Sequence, residues 1–313
     1  AARVLELAGV QGGLVVHLGC GDGRLTAALR ASEAYLVHGL DPDAANVAAA
    51  REHIRSLGLY GPISVDRLSG RRLPYVDNLV NLLIAERPEL VPESELYRVL
   101  APDGVLCLRR EGKRVKRVKR RPDNIDEWSH YLHDPSNNAV CADEVVGPPR
   151  RLQWVGSPRY TRHHDHMSSF SAAVTAGGRF FYILDEGSHA SILLPPHWQL
   201  IARDAFSGVV LWKRSIARWH PHLWPLKSGP ASLPRRLVAD AERVYVTLSI
   251  DGPVSALDAA TGKTVRTYKG TEGAEEILLC DGTLLVVIKE RGESLKDVYN
   301  EHSPCKMHTK STI

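Results

Sequence analysis

The feature that most limits how this chain can fold is a change of period along it. Up to about residue 110, short apolar runs alternate with longer runs whose apolar residues recur at helical spacing. After about residue 150, strand-length runs separated by Gly-Gly, Asp-Gly and Ser/Thr-Gly turns take over. Strand–helix alternation demands a mostly parallel sheet with helices on both faces. Successive short strands joined by tight turns demand antiparallel sheets. Two folding grammars in 313 residues are consistent with about two domains.

In the first grammar, "GLVVHL" reads as a buried strand and "GRLTAALRAS" as a helix. "AYLVHGLD" is a second strand ending on Asp41. "DAANVAAAREHIRSLGL" is a helix, with Asp43 as its N-cap and Gly58 as its stop. "GPISVDRL", "NLVNLLIA" and "GVLCLRR" are further strands, and "ESELYRVL" is a short helix stopped by "APDG". Ligands of such sheets sit outside the carboxyl ends of the strands, where both "GCGDG" and Asp41 fall. Glycine lets a backbone turn tightly and approach a ligand closely. Asp41, 18 residues after Gly23, is placed to accept hydrogen bonds from a ribose diol.

The turn is Gly-x-Gly-x-Gly rather than the Gly-x-Gly-x-x-Gly of most dinucleotide sites. "VVHLGCGDG", "VHGLDPD", "RRLPYVDNLVNLLIA" and "RVLAPDGVLCL" follow one another between residues 3 and 110. In these pieces the chain resembles the class I S-adenosylmethionine-dependent methyltransferases. The resemblance implies an α/β Rossmann-like fold and S-adenosylmethionine as cofactor. It implies Gly19, Gly21, Asp22 and Gly23 at the methionine end, with Asp41 holding the ribose. The acid often found near the adenine falls here at Ser69 or is displaced to Asp66. There are departures: His17 stands where the family usually has an acid, and no Asn-Pro-Pro-Tyr acceptor signature is present. Little room remains after Leu108 for the family's terminal hairpin. Two readings stay open, methyl transfer to an unknown acceptor and a non-catalytic scaffold with a degenerate methyltransferase fold.

"KRVKRVKRR", residues 113 to 121, holds seven basic residues in nine, but the whole chain is only at +4. No aromatics are interleaved to stack on bases, so nucleic acid is not the expected partner. The expectation is a charged edge strand or linker with Val115 and Val118 facing inward. The domain reading is therefore 1–121 methyltransferase-like, 122–165 linker or entry segment, and 166–313 the second fold.

That second fold repeats a unit. "LIARDAFSGVVLWKRSI" and "PVSALDAATGKTVRTY" each place two strands around an Asp-x-x-Ser/Thr-Gly turn, with Gly208 and Gly262 54 residues apart. A long insertion, "RWHPHLWPLKSGPASLP", explains a spacing above the ~40–50 residues usual for a propeller blade. "ARDAFSGVVLW" and "ALDAATGKTVR" resemble the repeats of pyrroloquinoline-quinone (PQQ)-type β-propellers, with Trp212 in the docking position and Arg266 replacing the second tryptophan. Asp204, Asp258 and Gly262 are expected as turn formers. Two blades and part of a third cannot close a ring of four to eight. The expectation is an incomplete ring finished by more of a longer chain, with a protein or small-molecule partner at the propeller face. A PQQ-dependent dehydrogenase is the further alternative. The combination of the two domains resembles large bacterial fusion proteins of the planctomycete type.

The remaining signals are weaker. Seven of the fourteen histidines cluster, at His130 and His133, at His163, His164 and His166 with Asp165, and at His220 and His222. Tyr160, Trp219 and Trp224 suggest a cleft beside them. No fixed metal spacing is present, so hydrogen-bonded loop histidines are expected and no metal site is assigned. The same holds for His302, Cys305 and His308. Five cysteines without a Cys-x-x-Cys pair argue against a disulfide framework or zinc knuckle, and Cys20 and Cys107 read as buried apolar residues. No apolar run approaches the ~20 residues of a membrane helix. The chain starts at alanine, which fits a periplasmic or envelope protein if a leader was removed and a cytoplasmic one otherwise.

Overall fold

The computed structural model describes residues 1–145, 147–148, 152–158, 162, 169–191, 194–219 and 232–288. Two compact units emerge. The first is Ala1–Ile125 with Glu144–Gly156 and Arg203–Leu211, and the second is Asp126–Asp143, Ser157–Ala202 and Trp212–Ile313.

The first unit begins with α1 (Ala2–Ala8), β1 (Gly13–Leu18), α2 (Arg24–Ala28), β2 (Tyr35–Asp41), α3 (Ala44–Ser56) and β3 (Ile63–Arg67). It continues with β4 (Val80–Ala85), α4 (Glu93–Val99), β5 (Leu100–Arg110) and β6 (Lys113–Val118). These strands form one sheet in the order β3-β2-β1-β4-β5-β6. β1 pairs in parallel with β2 and with β4, which sets the crevice of a doubly wound sheet at its carboxyl end. Strand alternation sends Val15, Val37 and Leu82 to one apolar core and Val16, Leu40 and Leu83 to the other. Both cores are closed, so β1 is buried along its whole length. Cys20 and Cys107 lie in the first of them.

Local chemistry sets the ends of α3. The Asp43 side chain accepts from the Ala45 N–H at 2.8 Å, and Gly58 follows the helix at φ 67°. "APDG" is not a loop: α4 passes directly into β5, with Asp103 at φ 63° and a register shift against β4. β6 pairs antiparallel with β5 as the sheet's edge strand, so among the described residues one strand follows β5 in this sheet. The expectation that Val115 and Val118 both face inward is not met, since they are 36% and 51% exposed. Residues three apart on a strand point to opposite faces, so no single inward face could hold both. Several charges of β6 are neutralised locally: Arg114 pairs with Glu86, and Arg117 with Glu93.

After residue 169 come β7 (Phe170–Ala176), β8 (Arg179–Asp185), β9 (Trp198–Asp204) and β10 (Val210–Ser215), a four-stranded sheet in the order β10-β9-β8-β7. A second four-stranded sheet runs in sequence through β11 (Leu237–Ala239), β12 (Arg243–Thr247), β13 (Val254–Asp258) and β14 (Thr264–Thr267). The hairpin of β15 (Ala274–Cys280) and β16 (Thr283–Ile288) follows. These antiparallel sheets are compatible with propeller blades.

The two motif turns are built alike. In each, an aspartate carboxylate accepts from the backbone N–H and hydroxyl of the residue three on: Ser207 on Asp204, and Thr261 on Asp258. Gly208 and Gly262 close the turns at φ 71° and 69°. A tryptophan lies on each glycine. The Trp212 indole donates to Ala259 O at 3.0 Å, and a Cβ on Gly262 would stand 2.6 Å from its ring. Trp154 does the same for the other turn, donating to Ala205 O at 3.0 Å over Gly208. Trp212 is the tryptophan the repeat motif singled out; Trp154 was not expected.

The first strands of the three sheets, β7, β11 and β15, share one anchor. Trp128 O accepts from Thr175 N of β7 at 2.7 Å, and Ser129 O from Ala239 N of β11 at 3.1 Å. His130 Nε2 accepts from Leu279 N of β15 at 3.0 Å. Glu127 adds two bonds of 2.9 Å from the N–H groups of Gly177 and Gly178 in the β7–β8 turn. "DEWSH" therefore ties three successive sheets together.

Replacing Trp212 by alanine removes a buried indole and its hydrogen bond and is expected to destabilise the second unit by about 3–5 kcal/mol. Trp212→Phe, which keeps most of the packing, is expected to cost about 1 kcal/mol for the hydrogen bond plus a smaller packing loss. Urea unfolding followed by far-ultraviolet circular dichroism compares the two.

Candidate functional site

The carboxyl ends of β1 and β2 are joined by Asp41. Its side chain is buried, and its Oδ2 accepts from Gly21 N–H at 3.0 Å. Its Oδ1 accepts from Asp43 N–H at 3.0 Å and from the Asn46 amide at 3.1 Å. Asp41 O also accepts from Leu68 N–H at 2.9 Å, which draws the end of β3 in. One residue thus fixes the glycine turn, the start of α3 and the segment that carries Asp66 and Ser69.

The three glycines do different things. All have positive φ: 78° at Gly19, 54° at Gly21 and 78° at Gly23. At Gly23 a Cβ would lie 2.7 Å from Ala50 Cβ and 2.9 Å from its Cα, so this glycine lets α2 pack on α3. At Gly19 a Cβ would meet the Arg87 side chain. At Gly21 nothing lies within 4 Å of that position, so the turn is open to a ligand there. Asp22 points outward, pairing with Arg24 at 3.1 Å.

Asp66 is exposed but engaged. Arg51 binds its Oδ1 at 2.6 Å, and His38 Nε2 its Oδ2 at 3.1 Å. Tyr75 Oη lies 2.7 Å from His38 Nδ1, completing a Tyr75–His38–Asp66–Arg51 chain that sequence reading missed. These residues are 37 and 28 positions apart, and only the pairing of β2 with β3 and the fold of the following loop join them. Burial holds the His38 imidazole below its ordinary range and raises the Tyr75 phenol above its own. Ser69 is exposed.

His17, in the family's usual acid position, is buried under the turn. Its Nδ1 lies 2.8 Å from Thr26 Oγ1, and its Nε2 has no hydrogen-bond partner among the described residues. Burial pushes its pKa down to about 4, so it is neutral at physiological pH. Burial likewise pushes the Cys20 thiol up to about 12, which leaves it a protonated, unreactive packing group.

Residues 15–104 match a methyltransferase domain. Similar solved structures include a SAM-dependent methyltransferase from Aquifex aeolicus, 26% identical over 34% of this chain and 61% of that one, with a TM-score of 0.32. The cyclase SpnF is 25% identical over 34% of this chain and 43% of its own, with a TM-score of 0.31. The YcgJ protein of Bacillus subtilis is 20% identical over 34% and 48%, with a TM-score of 0.30. The chain spans about half the length of these structures. No curated protein matches it. If the chain is an enzyme, S-adenosylmethionine-dependent methyltransferase is the class that the domain match supports. The match gives no support to PQQ as a cofactor.

Among the described residues no group of three or more His, Cys, Asp and Glu side chains is arranged to hold a metal. His130 and His133 are hydrogen-bonded loop residues: His130 Nδ1 is 2.8 Å from Ser129 Oγ, and His133 Nε2 is 2.7 Å from Asp126. Tyr160, His163, His164, Asp165, His166, His220, His222, Trp224, His302, Cys305 and His308 lie outside the described residues. No helix among the described residues is long and apolar enough to cross a membrane.

The buried His17 makes stability depend on pH. Its folded pKa of about 4 lies below the ordinary 6.5, so between these values the unfolded chain holds the extra proton. Stability is complete above about pH 6.5 and falls as pH drops toward 4, with about 2 kcal/mol lost from this group at about pH 5. His38 and His130, also held down by burial, act in the same direction. The urea midpoint should fall between pH 7 and pH 5, and His17→Gln should flatten that fall.

Proposed function

We propose that the first unit binds S-adenosylmethionine at the carboxyl ends of β1 and β2 and passes its methyl group to an acceptor of unknown identity. The observation that carries this reading is the open space beside Gly21, whose N–H the buried Asp41 accepts, inside the segment matching a methyltransferase domain. The donor set suits the group. In this reading Gly19, Gly21, Asp22 and Gly23 surround the methionine end, Asp41 lies at the ribose, and Asp66 and Ser69 lie on the adenine side. The cofactor, when bound, supplies an electrophilic methyl on a sulfonium. The protein's share is to hold the reacting groups in line and away from water.

A scaffold role is the second reading. Asp41 is only 1% exposed and has both carboxylate oxygens engaged within the chain, which favours a turn kept for its structure. In either reading we take the sheets of the second unit as blades of a PQQ-type propeller. They would serve as a platform for a protein or small-molecule partner, with further strands completing the ring.

Asp41→Ala is an ambiguous test, because it also strips an acceptor from Gly21, Asp43 and Asn46. Gly21→Asn separates the two effects. Asparagine tolerates the left-handed backbone at φ 54°, and its Cβ would meet nothing within 4 Å. In a calorimetric titration with S-adenosylhomocysteine, the wild-type chain should bind at micromolar concentration. Gly21→Asn should weaken binding by more than about tenfold, or about 1.4 kcal/mol, with little change in the unfolding midpoint. No heat from the wild type at millimolar ligand would leave the scaffold reading.

A further inference from the structure

The chain leaving β4 delivers an arginine onto the glycine turn. Glu86 N–H bonds to Leu18 O at 3.0 Å, so residues 86 and 87 run beside the end of β1. The Cβ, Cγ and Cδ of Arg87 lie 3.1, 3.0 and 3.2 Å from where a Cβ on Gly19 would stand. The missing side chain of Gly19 is what lets the stem of Arg87 cross the turn. Beyond that stem the guanidinium is loosely held. Its ion pair with Glu89 is 3.4 Å long, between side chains 50% and 67% exposed. A tight charge-assisted bond is about 2.7–2.9 Å, and exposed pairs contribute only ~0–1 kcal/mol.

The turn's own amides are mostly spent. Gly19 and Cys20 donate to Leu40 O, Gly21 to Asp41, and Gly23 to Cys20 O. An anionic ligand group in the space beside Gly21 therefore needs a side-chain cation. Of the neighbouring arginines, Arg114 is held by Glu86, while Arg109 shares Glu86 in a pair of 3.5 Å and Arg24 pairs with Asp22 between side chains 80% and 63% exposed. Arg87 alone among these lies across the turn itself, and its exposed partner is easily exchanged.

We propose that Arg87 binds the carboxylate at the amino-acid end of the cofactor, exchanging Glu89 for it. The planar guanidinium suits a carboxylate because it donates two parallel N–H bonds. The proposal rests on the reading of the glycine turn as an S-adenosylmethionine site, and the experiment separates the two. S-adenosylhomocysteine and its decarboxylated analogue are titrated by calorimetry into the wild-type chain, Arg87→Ala and Arg87→Lys. The wild type should prefer the carboxylate-bearing ligand by about tenfold, which is about 1.4 kcal/mol. Arg87→Ala should lose that preference by weakening only S-adenosylhomocysteine, and Arg87→Lys should keep part of it. The urea midpoints should coincide, since the side chain is half exposed. A preference retained in Arg87→Ala, or absent from a wild type that binds both ligands, overturns the assignment of Arg87. A wild type that binds neither ligand overturns the cofactor reading and this inference with it.

Discussion

A buried carboxylate persists in a fold only where its lone pairs are met, and at Asp41 three donors meet them: Gly21 N–H, Asp43 N–H and the Asn46 amide. Leaving any of these donors unmatched would cost about 1–3 kcal/mol. The glycine turn, the entry to α3 and, through Leu68, the end of β3 all take their positions from this residue. The space beside Gly21 and the course of Arg87 over Gly19 follow from where the turn is held. The candidate site is in this sense a consequence of satisfying one charge.

The second unit meets a different constraint. Its short strands bury little alone, and their cohesion comes from contacts repeated at each sheet. Trp212 covers Gly262 and bonds to Ala259 O, fixing a turn that its aspartate has already shaped. The Asp126–His133 segment supplies acceptors for one N–H group of each of β7, β11 and β15. The histidines of that segment are therefore accounted for as structural groups. His130 must stay neutral to accept from Leu279, and its burial favours that state.

Much of this was legible in the sequence because it depends on neighbours along the chain. The strands of the first sheet, the Asp43 cap, the Gly58 stop and the Asp-x-x-Ser/Thr-Gly turns are local, and they stand where the pattern put them. Trp154 was not legible, because its role depends on a turn about fifty residues later and no motif surrounds it. The Tyr75–His38–Asp66 chain, the arginine over Gly19 and the "DEWSH" anchor were hidden for the same reason. The facing of Val115 and Val118 was misread although a period of two already forbids it.

The sequence by itself determined the two folding grammars, the glycine turn after β1 and the acid at the end of β2. Periodicity and backbone permissiveness are properties of short stretches, and they need no partner to be expressed. Tertiary structure decided what each of those residues does. It made Gly23 a packing contact, Gly21 an opening and Gly19 a bed for Arg87, although the three look equivalent in "GCGDG". It buried His17 as a neutral group and gave Asp41 its three donors. Burial, and the identity of the atom across a contact, come into being only when strands distant in sequence pair, and the chemistry of this site depends on both.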